Sequence, residues 1–240
     1  MKIALLGYGK MGQAIEKEAE ARGHEIMARI DRHNLEERGA LASSGAEVVI
    51  EFTHPDSFME NARIVMDQGI PMISGTTGWH AQREALAELV RSKQGCLVYS
   101  SNFSIGVNLL FKLNQALARL MDPHPQYDCF IEEQHHRHKA DAPSGTAVSL
   151  GKQVLDGLGR KETLATEELR SRPPRPEELS IGYVRSGEII GYHKVSYTSD
   201  IDTLTIEHRA HNRRGFALGA VVAAEKLPGK QGLIAFSELL

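Results

Sequence analysis

The sequence predicts an α/β protein in two parts. A doubly wound parallel sheet comes first, and an α+β unit with a mostly antiparallel sheet follows it. Three observations predict this. Short apolar runs alternate with helix-period segments up to about residue 102, the rhythm of βαβ units. The rhythm then changes, and three β-type runs follow one another through short turns. A glycine-rich turn, Gly7-Tyr8-Gly9-Lys10-Met11-Gly12, separates the first apolar run from the first helix.

The elements follow in order. Residues 2–6 form an apolar strand that ends at Gly7, and residues 10–22 form a helix stopped by Gly23. Residues 25–30 are a second strand closed by Asp31-Arg32, and residues 47–52 (EVVIEF) a third. Pro55 opens a helix that runs to Met66. Residues 71–74 are a fourth strand followed by the GTTG turn, residues 80–93 a helix, and residues 96–100 a fifth strand. Residues 107–121 are an apolar-rich helix leading into the second part. That part has a strand over residues 127–134 and a helix over residues 144–158. Residues 161–178, with RPPRPEE inside, read as an exposed loop. Residues 179–184, 188–197 and 203–210 read as antiparallel strands joined through Ser186-Gly187 and residues 198–202. A last helix over residues 216–227 returns to the first part. The domains are then residues 1–103 completed by 213–240, and residues 104–212.

Composition narrows the function. The 240 residues are 41% apolar and 25% charged, ordinary for a globular protein. The net charge of -3 disfavours a nucleic-acid partner. No apolar run approaches the roughly 18 residues of a membrane span. The start, MKIALLGYGK, leads into a glycine turn rather than a leader peptide. The expectation is a cytoplasmic chain with neither nucleic acid nor membrane as partner. Cys96 and Cys129 lack metal or redox spacing and read as reduced.

The glycine turn matches G-x-G-x-x-G in the context that gives the pattern meaning. Gly7 permits the turn, Gly9 lets backbone approach a pyrophosphate, and Gly12 lets helix and strand pack closely. Tyr8, Lys10 and Met11 complete the loop, whose helix N-terminus attracts phosphate. Asp31, 19 residues past Gly12, suits the ribose hydroxyls. Arg32 could neutralise a 2′-phosphate. The pair points to NADH, slightly favoured, or NADPH. In a parallel sheet, ligands sit at the C-terminal strand ends. This adds Phe52-Thr53, then Gly75, Thr76 and Thr77, then Ser100, Ser101, Asn102 and Phe103.

The second concentration of chemistry is EEQHHRHKADAPSGTA, residues 132–147. A zinc site, a solvated charge run and an anion receptor all compete for it. Zinc sites usually bring Cys or carboxylate ligands at defined spacing, and none is evident here. The anion reading is favoured by Ser144, a good N-cap, with Gly145 and Thr146 exposing backbone N–H groups in the first helical turn. Histidine can also move protons near neutral pH. No metal is expected.

This segment resembles the E-x-x-H-H-x-x-K-x-D-A-P-S-G-T-A signature of the dihydrodipicolinate reductase family, whose members are also called 4-hydroxy-tetrahydrodipicolinate reductases. The resemblance extends along the chain through GYGKMG, EFTHP, GTTG and SNFSIGVN in the family's order. It implies NAD(P)H-dependent reduction of 4-hydroxy-tetrahydrodipicolinate to tetrahydrodipicolinate, in lysine and diaminopimelate biosynthesis. It implies that His135 is the acid/base, Lys139 a second proton donor and His136 a substrate contact. It gives Ser144, Gly145 and Thr146 one substrate carboxylate, and Arg213 of HNRRGFA the other. It implies a small dicarboxylate substrate and a homotetramer. The chain departs from the common G-A-x-G-R-M-G loop in its shorter GYGKMG, and in the loop between Leu158 and Leu179. The rival readings are an amino-acid dehydrogenase of similar fold and a nucleotide sensor without catalysis. The intact cluster disfavours both.

Overall fold

Strict alternation in β1 (Lys2–Leu6) organises the first unit. Ile3 and Leu5 point to one side of the sheet, Ala4 and Leu6 to the other, and all four are buried. A strand apolar on both faces needs a layer on each side, as a doubly wound parallel sheet provides. The structure, a computed structural model, describes residues 1–166 and 172–240. Clustering of contacts divides it into two units, residues 1–105 with 213–240, and residues 106–212.

The first unit continues with α1 (Lys10–Ala21), β2 (Glu25–Ile30), β3 (Val48–Glu51), α2 (Pro55–Asp67), β4 (Met72–Ser74), α3 (Arg83–Ser92) and β5 (Cys96–Tyr99). With a late strand, β11 (Gly232–Ala235), the sheet order is β11-β5-β4-β3-β1-β2, every pairing parallel. One face carries Ile3, Leu5, Ile50 and Val98 against α1 and a late helix, α6 (Arg214–Glu225). The other carries Ala4, Leu6, Val49 and Leu97 against α2 and α3, with Phe58 stacked on Trp79 at 4.8 Å. Burying Phe58 completely contributes about 1.5–3 kcal/mol.

Strand order reverses at β1, which has β2 on one side and β3 on the other. Their C-terminal ends flank the crevice where such sheets take ligands. Three elements here escape the sequence reading. Residues Leu35–Ser44 form 3₁₀ turns rather than open loop. Gly232–Ala235 (β11) adds a sixth strand beside β5, and Phe236–Leu239 forms a last 3₁₀ turn. A four-residue strand beginning on glycine has too short a pattern to signal itself.

The second unit contains α4 (Ile105–Met121), β6 (Asp128–His135), α5 (Gly145–Gly157), β7 (Thr163–Ala165), β8 (Glu178–Arg185), β9 (Gly191–Thr198) and β10 (Thr203–Ala210). Its core joins Leu110, Met121, Cys129, Ile131, Leu150, Val154, Ile181, Val195 and Tyr197. Both cysteines are free and buried.

The sheet order, β10-β9-β6-β8-β7, corrects the expected β8–β9 hairpin. The chain does turn at Ser186-Gly187, with Gly187 at φ +51°. Yet β8 pairs with β6 in parallel, and β9 pairs with β6 antiparallel on its other edge. The sheet is therefore mixed, with two antiparallel and two parallel pairings. Residues 186–190 need to cross only one strand, about 10 Å, within reach of five residues. The loop read at residues 161–178 contains β7, paired with β8. Residues 167–171 of it lie outside the described residues. No described helix is long and apolar enough to cross a membrane.

The closest approach in the first unit tests this packing. A Cβ at Gly219 of α6 would lie 1.7 Å from the Phe103 carbonyl oxygen. Backbone cannot swing aside as a side-chain tip can. Gly219→Ala should cost about 3 kcal/mol or more, lowering the melting temperature by roughly 5 °C or more. Gly39→Ala, with nothing near the added carbon, should change it little. Equal melting temperatures in a thermal scan would show the α6 contact to be loose.

Candidate active site

The glycine loop does what its spacing requires. Gly7 has φ +101°, and a Cβ there would lie 2.0 Å from the Phe52 carbonyl oxygen. Backbone N–H groups of Gly7 and Tyr8 both donate to the Ile30 carbonyl, at 2.8 and 3.0 Å. Gly12 packs on Gly7, where a Cβ would meet the Gly7 oxygen at 2.5 Å. Gly9 is the N-cap of α1, with no side chain capping the helix and open space around its Cα. The first-turn N–H groups of α1 are thus available to an anion. The Tyr8 hydroxyl donates to Glu16, which also receives Arg29. That tether orients the ring.

A cleft of about 500 Å³ opens at the crevice beside β1. Five of the expected cofactor residues line it: Gly7, Tyr8, Gly9, Asp31 and Arg32. Asp31 accepts the His33 N–H at 2.7 Å, and Arg32 Nε reaches His33 Nε2 at 3.1 Å. Lys10, Met11 and Gly12 stand behind the cleft in the first turn of α1. Phe52 and Thr53, expected at the end of the third strand, line it too, with His54 of the EFTHP stretch. His33, Leu35, Ser57 and Asn61 also line it and carry no local motif that would have announced them.

Gly75, Thr76, Thr77, Ser100, Ser101 and Asn102 lie beyond the cleft, past the C-terminal ends of β4 and β5. Thr76 is buried with its hydroxyl bonded to Glu51, while Thr77 is exposed. The Ser100 hydroxyl donates to the Asn102 carbonyl, closing that turn. The Phe103 ring is buried in the core against Phe52 and Phe236, which leaves its backbone as the part facing the turn.

In the second unit the basic cluster divides. His135, the last residue of β6, turns inward like Ile131 and Glu133 before it. Its Nδ1 meets Glu133 Oε2. The other Glu133 oxygen receives Arg185 Nη2 at 2.7 Å and the Ser144 N–H at 3.1 Å. Burial alone would raise the Glu133 pKa, but the bonds from His135, Arg185 and Ser144 outweigh it and hold the carboxyl at about 2. His193 of β9 stands edge-on to His135 at 5.1 Å. Its Nε2 is 3.1 Å from Ser144 Oγ. Burial, helped by the neighbouring His135, pushes the His193 pKa down to about 3, so its ring is neutral. Gly191 keeps β9 close, since a Cβ there would sit 3.3 Å from His135 Nε2.

Ser144 is the N-cap of α5, as expected, accepting the Ala147 N–H at 3.2 Å. It is nearly inaccessible, however, and its hydroxyl is committed to the cap and to His193. Gly145 is exposed and Thr146 half-buried, so the helix turn itself stays reachable. Lys139 Nζ pairs with Asp141 at 2.7 Å. His136 Nδ1 is buried without a partner among the described residues, while His138 is exposed, 3.6 Å from Glu188. Donor atoms of Glu133, His135 and His193 lie within 4.8 Å of one another, a spacing a metal ion could use. The Arg185 guanidinium already holds that carboxylate. In the first unit, Arg213 is exposed at the N-cap of α6, while Arg214 bonds Glu18.

Two family models match the chain: "Dihydrodipicolinate reductase, N-terminus" over residues 1–103 and "Dihydrodipicolinate reductase, C-terminus" over residues 106–240. The chain belongs to the dihydrodipicolinate reductase family. A 4-hydroxy-tetrahydrodipicolinate reductase of Christiangramia forsetii is 39% identical over 240 residues, covering 100% of this chain and 98% of the relative. One of Ralstonia pickettii is 34% identical over 264 residues, covering 100% and 99%. A solved dipicolinate-bound dihydrodipicolinate reductase from Paenisporosarcina sp. TG-14 is similar at TM-score 0.82 and 20% identity, covering 100% of this chain and 99% of that one. The C-terminal family model runs through residues 213–240, which pack with the first unit.

The neutral His193 gives a pH signature. Its folded pKa of about 3 lies below the ordinary 6.5. As pH falls below about 6.5, the unfolded chain takes up this proton and the folded chain does not. The contribution is whole above about 6.5 and is progressively lost toward about 3. Glu133 adds no slope until the pH nears the ordinary carboxyl value. His208, whose pKa burial also lowers, contributes in the window from about pH 7.5 to about pH 5 together with His193, so the difference between wild type and variant is what reports His193. His193→Gln should flatten the fall in melting temperature across that window. Parallel curves for the two proteins would mean that His193 is charged in the folded chain.

Proposed function

We propose that this protein catalyses the NAD(P)H-dependent reduction of 4-hydroxy-tetrahydrodipicolinate to tetrahydrodipicolinate. The observation that carries the reading is the His135–Glu133–Arg185 array beside the N-terminus of α5. It puts a proton-transfer group next to an anion receptor. NADH or NADPH, when bound, supplies the hydride. The reaction takes in one hydride and one proton and releases the C4 hydroxyl as water.

The chain's own residues divide the remaining work. Gly7, Tyr8, Gly9 and the first turn of α1 receive the pyrophosphate, and Asp31 the adenosine ribose. Gly75, Thr76, Thr77 and the turn from Ser100 to Asn102 receive the nicotinamide end. Asp31 favours NADH, and Arg32 beside His33 leaves room for NADPH. The N–H groups of Gly145 and Thr146 with Lys139 hold one substrate carboxylate, and Arg213 takes the other. His136 contacts the substrate. An ionised Glu133 only accepts hydrogen bonds, so the proton on His135 Nδ1 stays there. Nε2 is then the position that gives up a proton to the ring, and Lys139 is a second donor. The face of the second sheet opposite α4 and α5, with Phe130 and the Glu132–Lys194 pair, supports assembly into a homotetramer.

Freshly prepared 4-hydroxy-tetrahydrodipicolinate should be reduced with loss of NADH absorbance. No oxidation of either NADH or NADPH would remove the reading. His135→Gln should lower kcat by ~10²–10⁴-fold with a small change in KM, and NADH binding should be unaltered. Substantial kcat in this variant would mean that another group supplies the proton. Asp31→Ala should raise the KM for NADH more than that for NADPH. Arg213→Ala should weaken binding of pyridine-2,6-dicarboxylate by ~2–4 kcal/mol. Arg214→Ala, whose partner is Glu18, should do much less, and the reverse ranking would shift the assignment by one residue.

A further inference from the structure

Glu51, the last residue of β3, is a completely buried carboxylate without a cation bonded to it among the described residues. It is instead surrounded by hydroxyl and N–H donors. Ser74 Oγ donates to Oε2 at 2.6 Å, and Thr76 Oγ1 donates to Oε1 at 2.8 Å. The Thr53 N–H donates to Oε1 at 3.1 Å, and the Thr53 hydroxyl is bonded to the same oxygen. Thr53 and Thr76 also meet directly, N–H to Oγ1 at 2.8 Å. Asn61 Nδ2 donates to Thr53 Oγ1 at 3.1 Å. The Thr53 methyl lies 3.0 Å from where a Gly7 Cβ would be.

One carboxylate thus ties together the turns after β3 and β4 and, through Thr53, abuts the glycine loop. Thr53 and Asn61 line the cleft. Burying an acid this completely is costly, and burial pushes its pKa up despite the four donors. A hydrophobic residue would fill the space at less cost. The carboxylate adds geometry, with two oxygens fixing three side chains at the ligand-binding edge.

We propose that Glu51 is the positioning residue of the dinucleotide cleft, setting Thr53 and Thr76 in register with each other and with the Gly7 turn. This rests on the reading of the cleft as an NAD(P)H site. Glu51 acts through its neighbours and need not touch the ligand.

The test measures NADH and pyridine-2,6-dicarboxylate affinities separately, by fluorescence and calorimetry, with melting temperatures alongside. Glu51→Gln keeps the size and one accepting oxygen, and puts an NH2 donor where the other oxygen accepted. It should weaken NADH at least tenfold while leaving dicarboxylate affinity within twofold. A merely structural role would lower the melting temperature and leave the NADH affinity of the folded protein unchanged. NADH affinity within twofold of wild type in folded Glu51→Gln therefore overturns the proposal. Should that variant fail to fold, Ser74→Ala removes a single buried bond and should weaken NADH severalfold, and no change there overturns the proposal equally. A wild-type chain that binds neither NADH nor NADPH overturns the cleft reading together with this one. Wild-type binding with an indifferent Glu51→Gln overturns this one alone.

Discussion

A buried, ionised carboxylate ties together three elements of the second unit. Glu133 lies in β6, hidden from solvent, where burial opposes ionisation. The Arg185 guanidinium, the Ser144 N–H and His135 together reverse that tendency. Each partner comes from a different place: Arg185 from the end of β8, Ser144 from the cap of α5, and His135 from the end of β6. The mixed sheet order is what brings β8 beside β6. Removing one partner would leave a buried charge short of compensation, an expensive condition. The array therefore fixes the orientation of the histidine, the start of the helix and the pairing of the strands at once.

The first unit solves a different problem by similar means. Its parallel sheet changes direction at β1, and the crevice there is made habitable by glycines whose side chains would collide with backbone. Hydroxyl and amide groups then give that edge its shape. In both units a buried acid at a strand end organises the neighbouring turns, with charged and neutral donors in one case and hydroxyl and backbone donors in the other. The chemical difference suits the two roles. Glu133 is bonded to a guanidinium and an imidazole, whereas the groups bonded to Glu51 are neutral hydroxyls and a backbone N–H.

Much of this was legible in the sequence because it is local. The glycine loop, the Asp31 position, the Ser144 cap and the alternation of strands with helices all lie within short windows. Glu133 was not singled out, although residues two apart on a strand share a face and it precedes His135 by two. What failed was nonlocal. The Ser186-Gly187 turn revealed a reversal of the chain but not that β9 would cross β6 to its other edge. Arg185 and His193 reach the site only through that pairing, so no spacing in the sequence marked them. The burial of the Phe103 ring and the bond from Ser144 to His193 were likewise not readable from any motif. Strand β11 was invisible because its partner, β5, lies more than a hundred residues earlier in the chain.

The account depends most on Glu133 being ionised and fixing the proton of His135 on Nδ1. Long-range proton–nitrogen correlation spectra of protein labelled with ¹⁵N-histidine report that tautomer directly, with His135→Gln identifying the resonance. At neutral pH and without ligands, uncharged His135 should carry its proton on Nδ1, and Glu133→Gln should abolish that preference. A wild-type His135 protonated on Nε2 instead would contradict the account.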